Sequence, residues 1–157
     1  MDPNTGKKGM FNKLSKEQGM QLLKQENFKR KTVSFYRYVI LESPNKLRDE
    51  LYEDWDGLGV LGRIYLAHEG INAQLSVPEN NWLAFKANVH ANKYFSNIPF
   101  KIAVEDDGES FFKLTIKVRK QIVADGLEID EYDVTNVGRH LTAEQWNNAM
   151  GNGATVV

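Results

Sequence analysis

Residues 62–77 read G-R-I-Y-L-A-H-E-G-I-N-A-Q-L-S-V, and this stretch decides the fold. It predicts two strands folded back on each other around His68-Glu69-Gly70. In its second half Ile71, Ala73, Leu75 and Val77 fall on one side, and Asn72, Gln74 and Ser76 on the other. A period of two over that length marks an antiparallel strand with one covered face. Gly70 is the expected site of positive φ in the connection, because a residue without Cβ enters that region without a clash.

Upstream, residues 32–41 read T-V-S-F-Y-R-Y-V-I-L, rich in the β-branched and aromatic side chains that suit a pleated surface. Apolar residues occur at both parities, which predicts a central strand covered, at least partly, on both faces. Arg37 is the exception: it must reach the sheet edge or find an acidic partner, since an unpaired buried charge costs several kcal/mol. Ser43-Pro44 then opens a helix, with Ser43 as the expected side-chain cap and Pro44 suited to the first helical position. Leu47, Leu51, Trp55 and Leu58 form one apolar stripe, and Gly57 and Gly59 end the helix. Asp49, Glu50, Glu53, Asp54 and Asp56 fill most of the remaining circumference and read as a solvent face rather than a metal site.

Residues 60–67 form the strand that feeds the hairpin, and Pro78 closes the pairing because it has no N–H to donate. Residues 80–91 form a second helix with Trp82, Phe85 and Val89 on one side. Phe100, Ile102 and Val104 alternate with polar or small residues, predicting a fourth strand. Asp107-Gly108 predicts a hairpin into a fifth. There Phe112, Leu114, Ile116 and Val118 line one side; Lys113, Lys117 and Arg119 line the other, with Thr115 between them. The basic side is either a polyanion-binding surface or an exposed sheet face whose lysines discourage edge pairing. The order β-α-β-β-α-β, with an added hairpin strand, predicts an α+β, ferredoxin-like fold: one antiparallel sheet with both helices on one face.

This domain spans residues 32–124. Residues 1–31 form a basic leader, flexible at first. Ser15 to Gln18 then has capping-box spacing, and a short helix carrying Met20, Leu22 and Leu23 follows. Gly19 weakens that helix by about 1 kcal/mol relative to Ala. Lys29-Arg30-Lys31 closes the leader as a linker or a phosphate contact. Residues 125–157 comprise an acidic connector, a helix capped by Thr142 that runs to Met150 and ends at Gly151 and Gly153, and the apolar run Ala154-Thr155-Val156-Val157. That last run is expected to begin a strand of a further, truncated domain.

The length of 157 residues suits one domain with extensions, and 41% hydrophobic residues can build a core. The net charge is only -1, yet its distribution is uneven. Residues 1–37 hold nine Lys/Arg against three Asp/Glu, and residues 42–56 two against six. Such blocks are solvated faces or an electrostatic site for a polyanion. The absence of cysteine removes disulfides, thiolate zinc sites and cysteine nucleophiles from this chain and fits a reducing compartment. No apolar run approaches the roughly 20 residues that cross a bilayer, and the basic N-terminus lacks the apolar segment of a signal peptide. A cytoplasmic protein with no membrane partner is expected.

Catalytic signals are sparse. His68, His90 and His140 are far apart and lack metal-ligand spacing. Gly57-Leu58-Gly59 lies at a helix end, not in a phosphate loop. His68-Glu69 reads as an acid–base pair or, more plainly, as a solvated turn. Arg63 and Tyr65 alternate along their strand and can meet phosphate and base, although packing also accounts for Tyr65.

Four segments together resemble the rhodanese-related tRNA uridine hydroxylases: S-F-Y-R-Y from Ser34, G-V-L-G-R-I-Y-L-A-H-E-G-I-N-A-Q-L-S-V-P from Gly59, K-V-R-K-Q-I-V-A-D-G from Lys117, and N-V-G-R-H-L from Asn136. The resemblance covers residues 32–157. It implies an N-terminal ferredoxin-like, acylphosphatase-like domain, followed in such proteins by a rhodanese-like domain and a cysteine-rich tail. It implies an oxidoreductase that converts the wobble uridine of tRNA to 5-hydroxyuridine with molecular oxygen as co-substrate. The cysteine implicated in that activity belongs to the rhodanese-like domain, so no catalytic residue and no cofactor is carried over here. A shared acylphosphatase-like fold does not imply acylphosphatase activity. The expected role is to hold tRNA or to position the rhodanese-like domain. Arg37, Arg63, His68, Lys117, Arg119 and Lys120 are the expected tRNA-facing set. An intramolecular docking module without RNA contact is the alternative, and a stand-alone enzyme a third possibility.

Overall fold

The computed structural model describes residues 14–105, 108–123, 133, 136 and 138–154. Its elements are α1 (Lys16–Gln25), β1 (Arg30–Tyr38), α2 (Pro44–Gly57), β2 (Leu61–Ala67), β3 (Gly70–Pro78), a 3-10 turn (Glu79–Asn81), α3 (Trp82–Ala91), β4 (Lys101–Ile102), β5 (Leu114–Val118) and α4 (Ala143–Gly151). The β2–β3 hairpin runs antiparallel from Leu61 opposite Ser76 to Ala67 opposite Gly70. Gly70 has φ +148°, and a Cβ there would overlap the Arg37 carbonyl oxygen of the neighbouring strand. The glycine therefore serves both the turn and the close approach of β1.

The strand order is β4-β1-β3-β2-β5. The first four strands pair antiparallel in the ferredoxin-like arrangement. The fifth departs from the sequence expectation. It is no hairpin partner of β4 but lies at the opposite edge, parallel to β2, so the sheet is mixed. Burial accounts for this. Beside β2, Leu114 and Ile116 continue the covered row of Ile64, whereas β4 is two residues long and offers an exposed edge. The backbone seals the join: Gly62 N–H donates to Lys113 O at 2.9 Å, and Arg119 N–H to Leu66 O at 2.8 Å. Residues 106–107 of the expected turn lie outside the described residues. β4 is also shorter than expected: Phe100 packs against the core, Ile102 is exposed on an edge strand, and Val104 is exposed beyond the end of β4.

β1 begins at Arg30 and ends at Tyr38, and only its Val33 and Phe35 side is fully covered. Tyr36, on the other side, is 50% exposed. Beyond it, Val39 N–H and Leu41 N–H continue to the carbonyls of Glu69 and His68. The core lies between the sheet and α2 and α3. Trp55, Phe85 and Phe35 meet edge-on, with Trp55 to Phe85 at 5.4 Å. Trp55 Nε1 donates to Asn88 Oδ1 at 2.9 Å and ties the two helices together. Pro44 opens α2 as expected, but the Ser43 side chain makes no capping bond. At the other end, Gly59 (φ +69°) donates to Asp56 O and Val60 to Trp55 O, a Schellman closure that uses Gly59 rather than Gly57 as its left-handed residue.

The capping box at Ser15 forms in both directions, and so does one at Thr142 with Gln145. Gly19, a weak point by propensity, has a packing reason: a Cβ would stand 2.8 Å from Phe112 Cδ2. Arg30 then fastens α1 to the sheet, with its guanidinium on Glu26 at 2.7 Å and on the carbonyls of Gly59 and Ser76. Residues 1–13 of the leader, most of the acidic connector at 125–133 and residues 155–157 lie outside the described residues. No helix among the described residues is long and apolar enough to cross a membrane.

Candidate nucleic-acid interface

Strand pairing places side chains of equal parity on one face. The row Ser34, Gln74, Arg63 and Thr115 therefore crosses the sheet on the side away from α2 and α3, with Lys101 beside Ser34. The next row is Tyr36, Asn72, Tyr65 and Lys117. None of these positions carries a carboxylate. Arg63 and Lys117 form no ion pair among the described residues, and Arg63 is exposed. The Arg119 guanidinium lies over the Tyr65 ring, 4.0 Å from its centroid, and Lys101 Nζ lies 5.9 Å from that of Tyr36.

This face has a border at each end. Toward the start of β1, Ser110 and Phe111 join Thr32, Ser34, Gln74 and Lys101 around a groove of about 330 Å³. Toward the hairpin, Asn72 Nδ2 reaches Ile122 O at 3.4 Å, and Glu69 Oε1 accepts Ile122 N–H at 2.7 Å. Within the two rows Gln74, Arg63 and Tyr36 are exposed, and Ser34, Thr115, Asn72, Tyr65 and Lys117 are partly exposed, so the face is open to solvent between these borders. The opposite layer has the opposite sign: Glu50, Glu53, Asp54 and Asp56 of α2 are exposed there.

Arg63, Lys117 and Arg119 of the expected set share the open face. Arg37 does not. It has the parity of Val33 and Phe35, and it donates to the carbonyls of Tyr94 (3.3 Å) and Ser96 (2.8 Å). It has found backbone acceptors where the sequence reading required an acidic partner or the sheet edge. His68 stands in the hairpin turn with Nδ1 3.0 Å from Leu41 O, and Lys120 is exposed just beyond β5. His68 and Glu69 share no hydrogen bond; each holds a different backbone group. His90 stacks on Phe100 and meets Ile98 O. Sequence reasoning passed over Tyr36 and Lys101. The parity of Ser34, Tyr36 and Tyr38 was a usable signal for the first, but the apolar character of both parities masked it.

The family model described as the UPF0176 acylphosphatase-like domain matches residues 30–122. The chain belongs to this family. The matched segment runs from the first residue of β1 to the Ile122 anchor. A protein of Leptospira interrogans named tRNA uridine(34) hydroxylase is 54% identical over 153 residues, covering 98% of this chain and 42% of the relative. Another of that name from Yersinia enterocolitica is 45% identical over 139 residues, covering 88% of this chain and 40% of the relative. The chain thus spans less than half the length of these relatives and corresponds to their N-terminal part. Among solved structures, the dark-state BLUF protein BlrB has a TM-score of 0.44 and 12% identity, covering 59% of this chain and 75% of its own.

Proposed function

We propose that this domain is the RNA-holding part of a cytoplasmic tRNA uridine hydroxylase, and that it holds tRNA on the open face of its sheet. The observation that carries the reading is the segregation of charge among the described residues: cations without carboxylates in the two rows of the sheet face, carboxylates on the exposed side of α2. A polyanion is drawn to the first surface and repelled by the second. The names of the relatives supply the RNA class. In this proposal the oxidation of the wobble uridine to 5-hydroxyuridine, with molecular oxygen as co-substrate, is performed by a rhodanese-like domain of the same polypeptide. The present domain presents the substrate to it.

Arg63, Lys117 and Arg119 are the phosphate-facing residues in this reading, with Lys101 added; Arg37 is occupied in a structural role. Filter binding of the domain to tRNA over a salt series tests it. Each neutralised phosphate contributes about -0.7 to -0.9 to the log–log slope. The double variant Arg63→Ala, Lys117→Ala should flatten the slope by about two such contributions. Affinity indifferent to salt, or a double variant that binds like the parent, would remove the proposal.

A second reading has its own observation. Trp146 and Met150 stand one turn apart on α4 and are 52% and 45% exposed. They suit docking against another part of the polypeptide, with no RNA contact. In that case tRNA would not bind the domain at all.

A further inference from the structure

We infer that the open face seats unpaired RNA bases, with Tyr36 as one stacking surface and the Tyr65–Arg119 pair as a second. The inference rests on the RNA-holding reading above and specifies which part of the RNA this face meets.

Tyr36 presents half its surface to water from the middle of an interior strand. Its cross-strand neighbour is Asn72, and Ser34 and Gln74 fill the adjacent row. None of these covers a ring face with apolar bulk. Tyr38 meets the ring edge-on at 6.5 Å. This T-shaped contact and the Lys101 ammonium over the ring brace Tyr36, and the half of its surface left exposed is what a base can meet. Tyr65 lies on β2, with β3 between it and β1. Two strand spacings put the tyrosines about 10 Å apart. The Arg119 guanidinium already stands over the Tyr65 ring, its central carbon 4.0 Å from the centroid. A guanidinium plane so placed stacks a base on its outer side and keeps N–H donors at its rim for a phosphate.

Geometry separates unpaired from paired RNA. In a duplex the base faces are covered by their neighbours, and a protein reaches phosphates and groove edges. Only an unpaired base offers its face to an aromatic ring. The trough is also bordered, by Phe111 at one end and by the Ile122 segment at the other. A strand laid across the sheet between them passes Lys101, Arg63 and Lys117 while its bases turn down onto the two rings. Interleaved cations and rings are the pattern that binds single strands with little sequence preference.

The test is fluorescence anisotropy on the whole 157-residue chain. The probes are labelled decauridine, an RNA duplex of the same length, and unmodified tRNA. Tyr36→Ala and Tyr65→Ala should each weaken decauridine binding roughly tenfold, and Tyr36→Phe should stay within about twofold of the parent. The salt slope should be unchanged in the tyrosine variants, because no phosphate contact is removed. The duplex should bind roughly tenfold or more weakly than decauridine. Circular dichroism melts establish that each variant is folded, and Tyr36→Phe with its ring intact controls for any that is not. Parent-like decauridine binding by both alanine variants overturns the inference, as does equal affinity for the duplex. If tRNA binding is salt-dependent but indifferent to the tyrosines, stacking is wrong and the RNA-holding reading stands. If decauridine binds with the expected tyrosine dependence but tRNA does not bind, the stacking site stands and that reading falls.

Discussion

The buried carboxylate of Glu69 accepts the backbone N–H of Ile122 at 2.7 Å, across a separation of 53 residues. Ile122 is itself buried, and Asn72 reaches its carbonyl. The bond ties the central hairpin to the chain leaving β5 and so sets one border of the open sheet face. The second carboxylate oxygen, Oε2, is buried with no hydrogen-bond partner among the described residues. A charged acceptor in such a place contributes about 1.5–3 kcal/mol when bonded, and its unpaired oxygen offsets part of that. Glu69→Ala should destabilise the domain by about 2 kcal/mol in urea unfolding. Glu69→Gln keeps an acceptor and drops the buried charge, so it should lose clearly less. Equal losses in the two variants would show that the carboxylate has no special part.

Gly70→Ala should be among the most damaging single substitutions. The position combines φ +148° with a carbonyl oxygen where a Cβ would be. Relief requires β1 to move away from β3. A loss of about 2 kcal/mol or more, or failure to express in folded form, is expected. An alanine variant that melts with the parent would contradict the hairpin geometry.

Two helical glycines should respond differently to the same substitution. Gly57 has open space around it and no positive φ, so Gly57→Ala should gain up to about 1 kcal/mol. At Gly19 propensity favours Ala by a similar amount, but the new Cβ would press on Phe112. Gly19→Ala should therefore gain nothing and should loosen α1, visible as faster amide exchange around Gln25 and Arg30. A stabilised Gly19→Ala would mean that α1 does not pack as described.

Burial, aided by the Asp56 carboxylate, pushes the Tyr52 phenol above the ordinary tyrosine range. The folded form therefore binds this proton more tightly than the unfolded chain. The resulting stabilisation is complete below about pH 10 and is lost as pH rises through the folded-state value. Tyr52→Phe should flatten the alkaline limb of a plot of urea midpoint against pH and leave the neutral region largely unchanged. An alkaline limb of the same steepness in both proteins would assign the loss to other groups.

Much of this architecture could be read along the chain because its signals are local. The alternation from Ile71 to Val77 is a period-two pattern, and it became β3 with Ile71, Ala73, Leu75 and Val77 all fully buried. The spacing of Leu47, Leu51 and Trp55 became the covered stripe of α2. Both capping boxes are four-residue patterns and formed as written. Ser43 had the right chemistry for a cap but makes no such bond, because its backbone is not in the extended conformation found at Ser15 and Thr142.

The candidate site was legible only in part. Arg63, Lys117 and Arg119 stood out by charge and parity, and strand pairing brought them to one face. Arg37 carries the same charge but lies on the other side, where the carbonyls of Tyr94 and Ser96 take its donors. Those carbonyls are 57 and 59 residues away, beyond the reach of any local pattern.

By itself, then, the order of residues determined the kinds of element, their covered sides and the ferredoxin-like succession, since each depends on side chains a few positions apart. The tertiary structure alone decided which edge receives β5, which glycine closes α2, and which cations and rings share the open face. Those choices depend on what becomes buried when distant segments meet. An Asp-Gly turn encodes a reversal of direction, but only the uncovered row beside Ile64 and Leu66 gives Leu114, Ile116 and Val118 somewhere to go.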